Sequence, residues 1–95
     1  MFARVTEYQM KPESIAAATE LLHSLKERIM SMPGVHNFIN VINDDGSGLV
    51  ISVVESEAVS EANAPTVAEI WSQFGDHLAA PPKASGYNLI ANWNN

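Results

Sequence analysis

The sequence predicts an α+β fold whose elements follow one another in the order β-α-β-β-α-β. Three observations support this prediction. A long apolar stripe at helical spacing separates two runs that are rich in strand-forming residues, a turn with two glycines separates the second run from a third, and another helical stripe precedes the last run. With 95 residues, the chain is predicted to form one domain over residues 1–95 that buries only part of its apolar surface by itself.

The first half of the chain predicts a strand, a helix and a second strand. Residues 2–10 include Val5, Thr6 and Tyr8, which favour strands. A helix is predicted to begin near Pro12 and to end at the Pro33-Gly34 pair. Its apolar residues recur at steps of three and four: Ile15, Ala18, Leu22, Leu25, Ile29 and Met32. Residues 35–43 then predict the second strand.

The second half predicts a hairpin, a helix and a final strand. Residues 43–48 have the Asn, Asp and Gly content of a hairpin turn, and residues 49–55 form a third strand that is apolar on both faces and therefore central. Ser56 is predicted to cap a short helical turn, after which Asn63 caps a second helical start with Pro65 in its first turn. The apolar arc of this helix contains Val67, Ile70, Trp71, Phe74 and Leu78. Pro81-Pro82 is predicted to end the helix, and residues 87–93 to form the last strand.

Two βαβ halves joined by a hairpin describe a ferredoxin-like arrangement. Both helices then pack on one face of a four-stranded antiparallel sheet. The other face remains apolar, and an uncovered apolar face of this size favours association. The sequence therefore predicts a homodimer in which two sheet faces meet.

Composition excludes several classes of function. Eleven acidic residues against five basic ones give a formal net charge of −6, which argues against binding to nucleic acid or to an anionic membrane. The absence of cysteine excludes thiol chemistry and disulfides. No apolar run approaches the roughly 18 residues of a membrane span, and no leader pattern begins the chain. We therefore expect a cytoplasmic protein.

Two junctions suggest a family. The Met32-Pro33-Gly34-Val35 junction and the Val53-Val54-Glu55-Ser56 end of the third strand, followed by a short turn and then a helix, resemble the dimeric αβ-barrel superfamily. Within that superfamily the chain is similar to the group related to antibiotic biosynthesis monooxygenases. The superfamily includes cofactor-free oxygenases of aromatic quinols, haem-degrading proteins, isomerases, ligand-sensing domains and many members without known activity. The resemblance implies a pocket between sheet and helices that the last helix lines.

Trp71, Phe74 and His77 are the first candidates for that pocket. Trp71 lies in the apolar arc of its helix, so it is either a core residue or a flat wall for an aromatic ligand. Phe74 would shape the same cavity. His77 lies at the edge of the arc and is the candidate catalytic residue, a general base with a pKa near neutrality, although it could equally be a solvated histidine at the rim.

Three further residues are candidates for lining the pocket. Arg4 is an unusual charge within an apolar strand and could bind an anionic group of a ligand, or else form a salt bridge to Glu7, to Glu55 or to a partner chain. His36 and Asn40 share one strand face and could present polar groups to a ligand, or they could lie at an edge or at a dimer contact.

No cofactor is expected. Haem is disfavoured, because Trp71 and His77 are closer in sequence than the corresponding pair of the haem-degrading relatives, and because Thr6-Glu7-Tyr8 stands where those proteins have an asparagine. His36 and His77 have no fixed spacing and therefore make no metal motif.

The resemblance and the aromatic helix face together predict a small-molecule pocket protein, a cofactor-independent monooxygenase-like enzyme acting on an aromatic substrate. The alternatives are a non-enzymatic ligand-binding or stress-associated dimeric module, and a protein whose dimer alone matters.

Overall fold

A computed structural model describes residues 1–95, and it contains the predicted four-stranded antiparallel sheet in the order β2-β3-β1-β4. The strands are β1 (Phe2–Met10), β2 (Val35–Ile42), β3 (Ser47–Val54) and β4 (Leu78–Asn88), and the helices are α1 (Ile15–Ser24), α2 (Lys26–Met30) and α3 (Glu57–Ser72). Two short 3₁₀ turns, Pro12–Ser14 and Gly75–His77, precede α1 and β4. The ferredoxin-like element order is confirmed, and β3 is central as predicted.

The predicted first helix is divided into α1 and α2 at Leu25. Leu25 has a ψ of 2°, far from the helical value of about −42°. Its N–H is shared between the carbonyl oxygens of Leu21, at 3.2 Å, and Leu22, at 3.0 Å. The apolar stripe nevertheless continues through the break, because Ala18 of α1 and Ile29 of α2 are both buried in the same core.

The second helix is continuous, so the predicted restart at Asn63 is wrong. Ser56 caps α3 by accepting a hydrogen bond from the Val59 N–H at 3.2 Å, and Pro65 lies inside the helix. A proline there removes one backbone hydrogen bond. The buried side chains of Ser60, Asn63 and Ile70 pack α3 onto the sheet, and this packing holds the helix together across Pro65.

The last strand begins much earlier than predicted. Helix α3 ends at Ser72, and Pro81 and Pro82 lie within β4 instead of ending a helix. Strand β4 is at the edge of the sheet, where proline is tolerated, and its register with β1 shifts between Glu7 and Gln9, opposite the two prolines. Residues 89–95, most of the predicted strand, have no regular structure.

The two faces of the sheet differ in what covers them. The helices cover one face and enclose a core that includes Tyr8, Met10, Val50, Ile70 and Phe74. The other face exposes apolar side chains: Ile39 is 48% exposed, Val41 50% and Tyr87 56%. Part of this face is crossed by the C-terminal residues, where Asn92 Nδ2 donates to Asn37 Oδ1 at 2.8 Å.

None of the helices is both long enough and apolar enough to span a membrane.

Candidate functional site

A cavity lies between the helix-covered face of the sheet and the helices. It is lined by 19 residues, 13 of them hydrophobic. Strand β1 contributes Arg4, Thr6, Tyr8 and Met10, which alternate along the strand and therefore share its inner face. Helix α3 supplies the opposite wall. The space inside is about 90 Å³, which restricts any occupant to a small molecule.

One end of the cavity is aromatic. The ring centroids of Tyr8 and Trp71 are 5.7 Å apart at an interplanar angle of 52°. Those of Trp71 and Phe74 are 6.0 Å apart at 59°. Tilted contacts at these distances are favourable between aromatic rings. Phe74 is buried while Trp71 is only half-buried, so Trp71 packs against the core and also presents surface to the cavity.

The Tyr8 hydroxyl anchors this aromatic end to β2. Its oxygen lies 2.6 Å from Asn40 Oδ1 and 3.1 Å from the Val41 carbonyl oxygen, and its single proton can be donated to one of them at a time. The ring passes over Gly48, where an added Cβ would lie 2.4 Å from Tyr8 Cζ. Burial raises the pKa of Tyr8 above its ordinary value, so the hydroxyl remains a neutral donor at neutral pH.

The other end of the cavity is polar and contains one charge. Arg4 Nε donates to Ser60 Oγ of α3 at 2.8 Å. Ser60 and Thr6 are both buried, and Ser52 of β3 lies beside Arg4 in the sheet register. Neither predicted intrachain salt bridge of Arg4 forms: its guanidinium has no carboxylate within 4.0 Å, and Glu55 instead lies 3.6 Å from Nε2 of His36.

Asn63 lines the cavity and was not among the predicted site residues. It was interpreted as a helix cap, but it lies inside α3, buried, with its Nδ2 donating to the Pro33 carbonyl oxygen at 2.9 Å. This bond ties α3 to the turn before β2. The sequence pattern does indicate that this residue faces the cavity. The same helix face is shared, at steps of three and four, by Asn63, Val67, Ile70 and Phe74.

The structure brings together four of the six predicted site residues. Arg4, Asn40, Trp71 and Phe74 all line the cavity, whereas His36 and His77 do not. His77 belongs to the 3₁₀ turn after α3 and not to the helix itself, and its carbonyl oxygen accepts the Lys11 N–H at 2.8 Å. His36 is exposed at the start of β2.

The titratable side chains of the cavity are therefore Arg4 and Tyr8 alone. Neither supplies a base near neutral pH, because an arginine side chain has no acceptor atom and burial raises the pKa of Tyr8, which keeps its hydroxyl protonated. No group of three or more His, Cys, Asp or Glu side chains is placed to hold a metal ion.

Comparison with known proteins finds likeness in structure but not in sequence. No protein-family model matches the chain, and no curated protein matches it. A solved structure named antibiotic biosynthesis monooxygenase superimposes with a TM-score of 0.79 at 16% identity, over 96% of this chain and all (100%) of the other.

Two further solved structures share the fold. A protein of unknown function, NE2512 from Nitrosomonas europaea, gives a TM-score of 0.82 at 19% identity, covering 99% of this chain and 93% of that one. The Rv0793 protein from Mycobacterium tuberculosis gives 0.74 at 14% identity, covering 98% of each. The predicted resemblance to the antibiotic biosynthesis monooxygenase-like group is thus confirmed in structure, and at these identities the likeness concerns the fold.

Proposed function

We propose that this protein binds a small aromatic molecule in the cavity between sheet and helices and oxygenates it as a cofactor-independent monooxygenase-like enzyme. The observation that carries the proposal is the aromatic wall of Tyr8, Trp71 and Phe74 inside an otherwise apolar cavity. Rings at such angles offer both faces and edges to a flat ligand. The same fold occurs in a structure named antibiotic biosynthesis monooxygenase, which supports this class of reaction.

The proposed chemistry needs an electron-rich substrate. An aromatic ring that carries hydroxyl groups loses a proton, and the resulting anion adds molecular oxygen at a ring carbon to give a hydroperoxide. Loss of water from the hydroperoxide leaves one oxygen atom on the ring as a quinone carbonyl, so the substrate itself supplies the electrons and the second oxygen atom leaves as water. The apolar lining excludes water from that anion and from the oxygen adduct, so side reactions with water are suppressed. Trp71 and Phe74 hold the ring, and the ring of Tyr8 completes the aromatic wall while its hydroxyl donates to Asn40 or Val41.

The group that accepts the substrate's proton lies outside the residues that line the cavity, or the substrate has lost this proton before it binds. His77 was predicted as the general base from the sequence, and that role stays a prediction. Its position outside the cavity lining means that it would have to act on a substrate that extends beyond the cavity, or through a water molecule. A substrate that is already ionised at neutral pH would need no base at all.

Oxygen uptake in the presence of a panel of aromatic quinols tests the activity. We expect consumption of oxygen above the rate of the quinol alone, and a large loss of rate in Trp71→Ala, because the ring is no longer held. Trp93→Ala is the matched control, since Trp93 is 92% exposed and lies outside the cavity. Uptake that is equal with and without the protein for every quinol would contradict the enzymatic proposal.

His77→Ala measured in the same assay tests the base. A rate that falls, and that recovers as the pH is raised, supports proton transfer by the imidazole. An unchanged rate removes His77 from the mechanism while leaving the enzymatic proposal in place.

A second candidate function is a ligand-binding module without catalysis. The observation that favours it is that the cavity lining contains no histidine, aspartate, glutamate or lysine. A thermal-shift screen distinguishes the candidates when it is combined with the oxygen assay. Aromatic compounds that raise the melting temperature without being consumed indicate a binding module, because a ligand that binds only the folded state stabilises it.

We also propose that two copies pair through the uncovered face of the sheet. Ile39, Val41 and Tyr87 are about half exposed there, and Leu49 and Ile51 of β3 lie on the same face. A contiguous apolar face of this kind is typical of an interface. A two-fold axis would place the same residues of both copies opposite one another.

A further inference from the structure

We infer that Arg4 is a binding site for a carboxylate, so that the ligand of the cavity is a small aromatic acid. This inference rests on the proposed function, since it assumes that the cavity takes an aromatic molecule. It adds the chemical class of that molecule and the side chain that selects it.

Most hydrogen-bond donors of the Arg4 side chain have no partner within the chain. Its Nε is committed to Ser60 Oγ at 2.8 Å, and that is the guanidinium's one hydrogen bond within the chain. Its two terminal nitrogens carry four N–H groups, none of which is paired with an acidic side chain. The Ser60 bond fixes the plane of the guanidinium and leaves its outer edge available. This edge matches the two oxygens of a carboxylate.

Arg4 is also the single charged residue among the 19 that line the cavity. A partly desolvated cation is unfavourable unless it is paired or well hydrogen-bonded. The chain as a whole has a net charge of −6, which would repel an anion at long range. Preference for an acid must therefore come from this local group.

The polar end and the aromatic end of the cavity are also well separated. Arg4 and Tyr8 lie on the same face of β1, four residues apart, so their Cα atoms are about 13 Å apart at about 3.3 Å per residue. Between them on the inner face of the sheet lie Thr6 of β1 and its partner Val50 of β3, and Val67 and Ile70 of α3 also line the cavity. A molecule with a carboxylate at one end and a ring at the other satisfies both ends at once.

The test compares phenylacetate with its neutral isostere phenylacetamide, by isothermal titration calorimetry on the full chain. We expect phenylacetate to bind roughly tenfold more tightly than the amide, as is typical of a charge-assisted hydrogen-bonded pair. In Arg4→Gln the two compounds should bind equally. Arg28→Gln is the control, because Arg28 pairs with Glu69 on the surface at 3.0 Å and lies outside the cavity.

Two additional measurements keep the test valid if Arg4→Gln does not fold. Raising the salt concentration on the wild-type protein should weaken phenylacetate binding and leave phenylacetamide binding unchanged. Ser60→Ala, which frees the guanidinium from its fixed plane, should reduce the acid's advantage without abolishing it.

The outcomes separate this inference from the proposed function. Equal binding of acid and amide in the wild type, or an acid preference that survives in Arg4→Gln, would overturn the role of Arg4 while leaving an aromatic site intact. Binding of neither compound would contradict the aromatic site itself and the inference with it.

Discussion

At the scale of the residue, Tyr8 connects the stability of the protein to the shape of its cavity. It is 7% exposed, it contacts Trp71, and its hydroxyl reaches across β3 to lie within hydrogen-bond distance of Asn40 and Val41 on β2. A side chain held at both its ring and its hydroxyl loses little further freedom when a ligand binds. The aromatic end of the cavity is in this sense formed before any ligand arrives.

Tyr8→Phe should therefore lower the free energy of unfolding by about 1 kcal/mol, the usual loss for one hydrogen bond. It should also change the alkaline limb of stability. Because burial raises the pKa of folded Tyr8, its contribution is complete below the unfolded value of about 10 and is lost as the pH rises through the folded value. Urea unfolding of wild type and variant at neutral and alkaline pH measures both effects.

Tyr87→Phe is the matched control, since Tyr87 is exposed on the opposite face. If Tyr87→Phe altered alkaline stability as much as Tyr8→Phe, the assigned role of the buried hydroxyl would be wrong.

The sequence predicted individual residues of the site unevenly. Trp71, Phe74, Arg4 and Asn40 were identified because an aromatic on a helical stripe and a polar residue in an apolar strand are visible in a local pattern. Asn63 was missed because Asn followed by Pro two residues later has the local pattern of a helix start, and only packing against the sheet makes it an interior residue. His77 was expected on the helix, and the end of α3 at Ser72 leaves it on the turn that follows.

At the scale of the element, the turns that reverse the chain direction require particular residues at particular positions. Gly34, between α2 and β2, has a φ of +73°, and an added Cβ would lie 2.6 Å from Val59 Cγ1. The Met32-Pro33-Gly34-Val35 junction thus packs directly against α3. The junction also positions the Pro33 carbonyl oxygen that accepts the hydrogen bond from Asn63 Nδ2.

Gly34→Ala should lower the free energy of unfolding by about 1–2 kcal/mol for the left-handed backbone alone, with more from the contact with Val59. Thermal or chemical unfolding measures the change. Gly75→Ala is the control, because nothing lies within 4 Å of an added Cβ there. Equal effects of the two substitutions would show that backbone conformation and packing at Gly34 are not what the turn requires.

At the hairpin between β2 and β3, Asp45 makes the stability of the fold depend on pH. Hydrogen bonds from the Ser47 hydroxyl, at 2.6 Å, and from the Ser47 N–H, at 2.9 Å, hold the pKa of Asp45 below its ordinary value. A carboxyl with a lowered pKa stabilises the fold above its ordinary value, and that contribution is lost as the pH falls through the folded value.

Asp45→Asn should therefore melt with a smaller dependence on pH than the wild type in the acid range, as the pH falls below the ordinary aspartate pKa of about 4. Asp44→Asn is the control, because it removes the adjacent charge and keeps both hydrogen bonds from Ser47 to Asp45. Identical acid slopes for wild type and Asp45→Asn would contradict the role given to the Ser47 hydrogen bonds.

Elements were predicted best where a stripe or an alternation was long. Strands β1, β2 and β3 lie close to their predicted bounds. The last strand was predicted too late in the sequence because Pro81-Pro82 normally ends an element. A strand can continue through these prolines here because β4 is at the edge of the sheet and its register against β1 shifts opposite them. Neither feature is encoded in the local pattern of residues 78–88.

At the scale of the whole molecule, the two faces of the sheet have different roles. One face encloses the cavity and the other remains apolar and half exposed. The element order predicted from the sequence accounts for this division, because both crossovers of a β-α-β-β-α-β chain place their helices on the same side. The proposed pairing of two copies assigns a role to the second face.

The substitution Ile39→Lys combined with Val41→Lys should convert a dimer into a monomer, because two charges per copy would have to be buried against each other. Multi-angle light scattering measures the mass in solution. Met30→Lys is the control, since Met30 is an exposed apolar residue of α2 on the helical side. A wild-type mass of about 10.3 kDa at micromolar concentration, the mass of one chain, would contradict the pairing.

The proposed function and the proposed role of Arg4 both require that the cavity beside Trp71 binds a small aromatic molecule. The chain has two tryptophans, Trp71 in the cavity and Trp93 exposed in the C-terminal residues. Their two indole N–H signals in a ¹H–¹⁵N spectrum report on the two places separately, and Trp93→Phe assigns them.

Titration with phenylacetate, phenylacetamide and a panel of quinols is therefore the most direct measurement. We expect at least one of these compounds to shift the Trp71 signal with saturation and to leave the Trp93 signal in place. Shifts confined to Trp93, or no saturable shift of Trp71 with any compound, would contradict binding in the cavity.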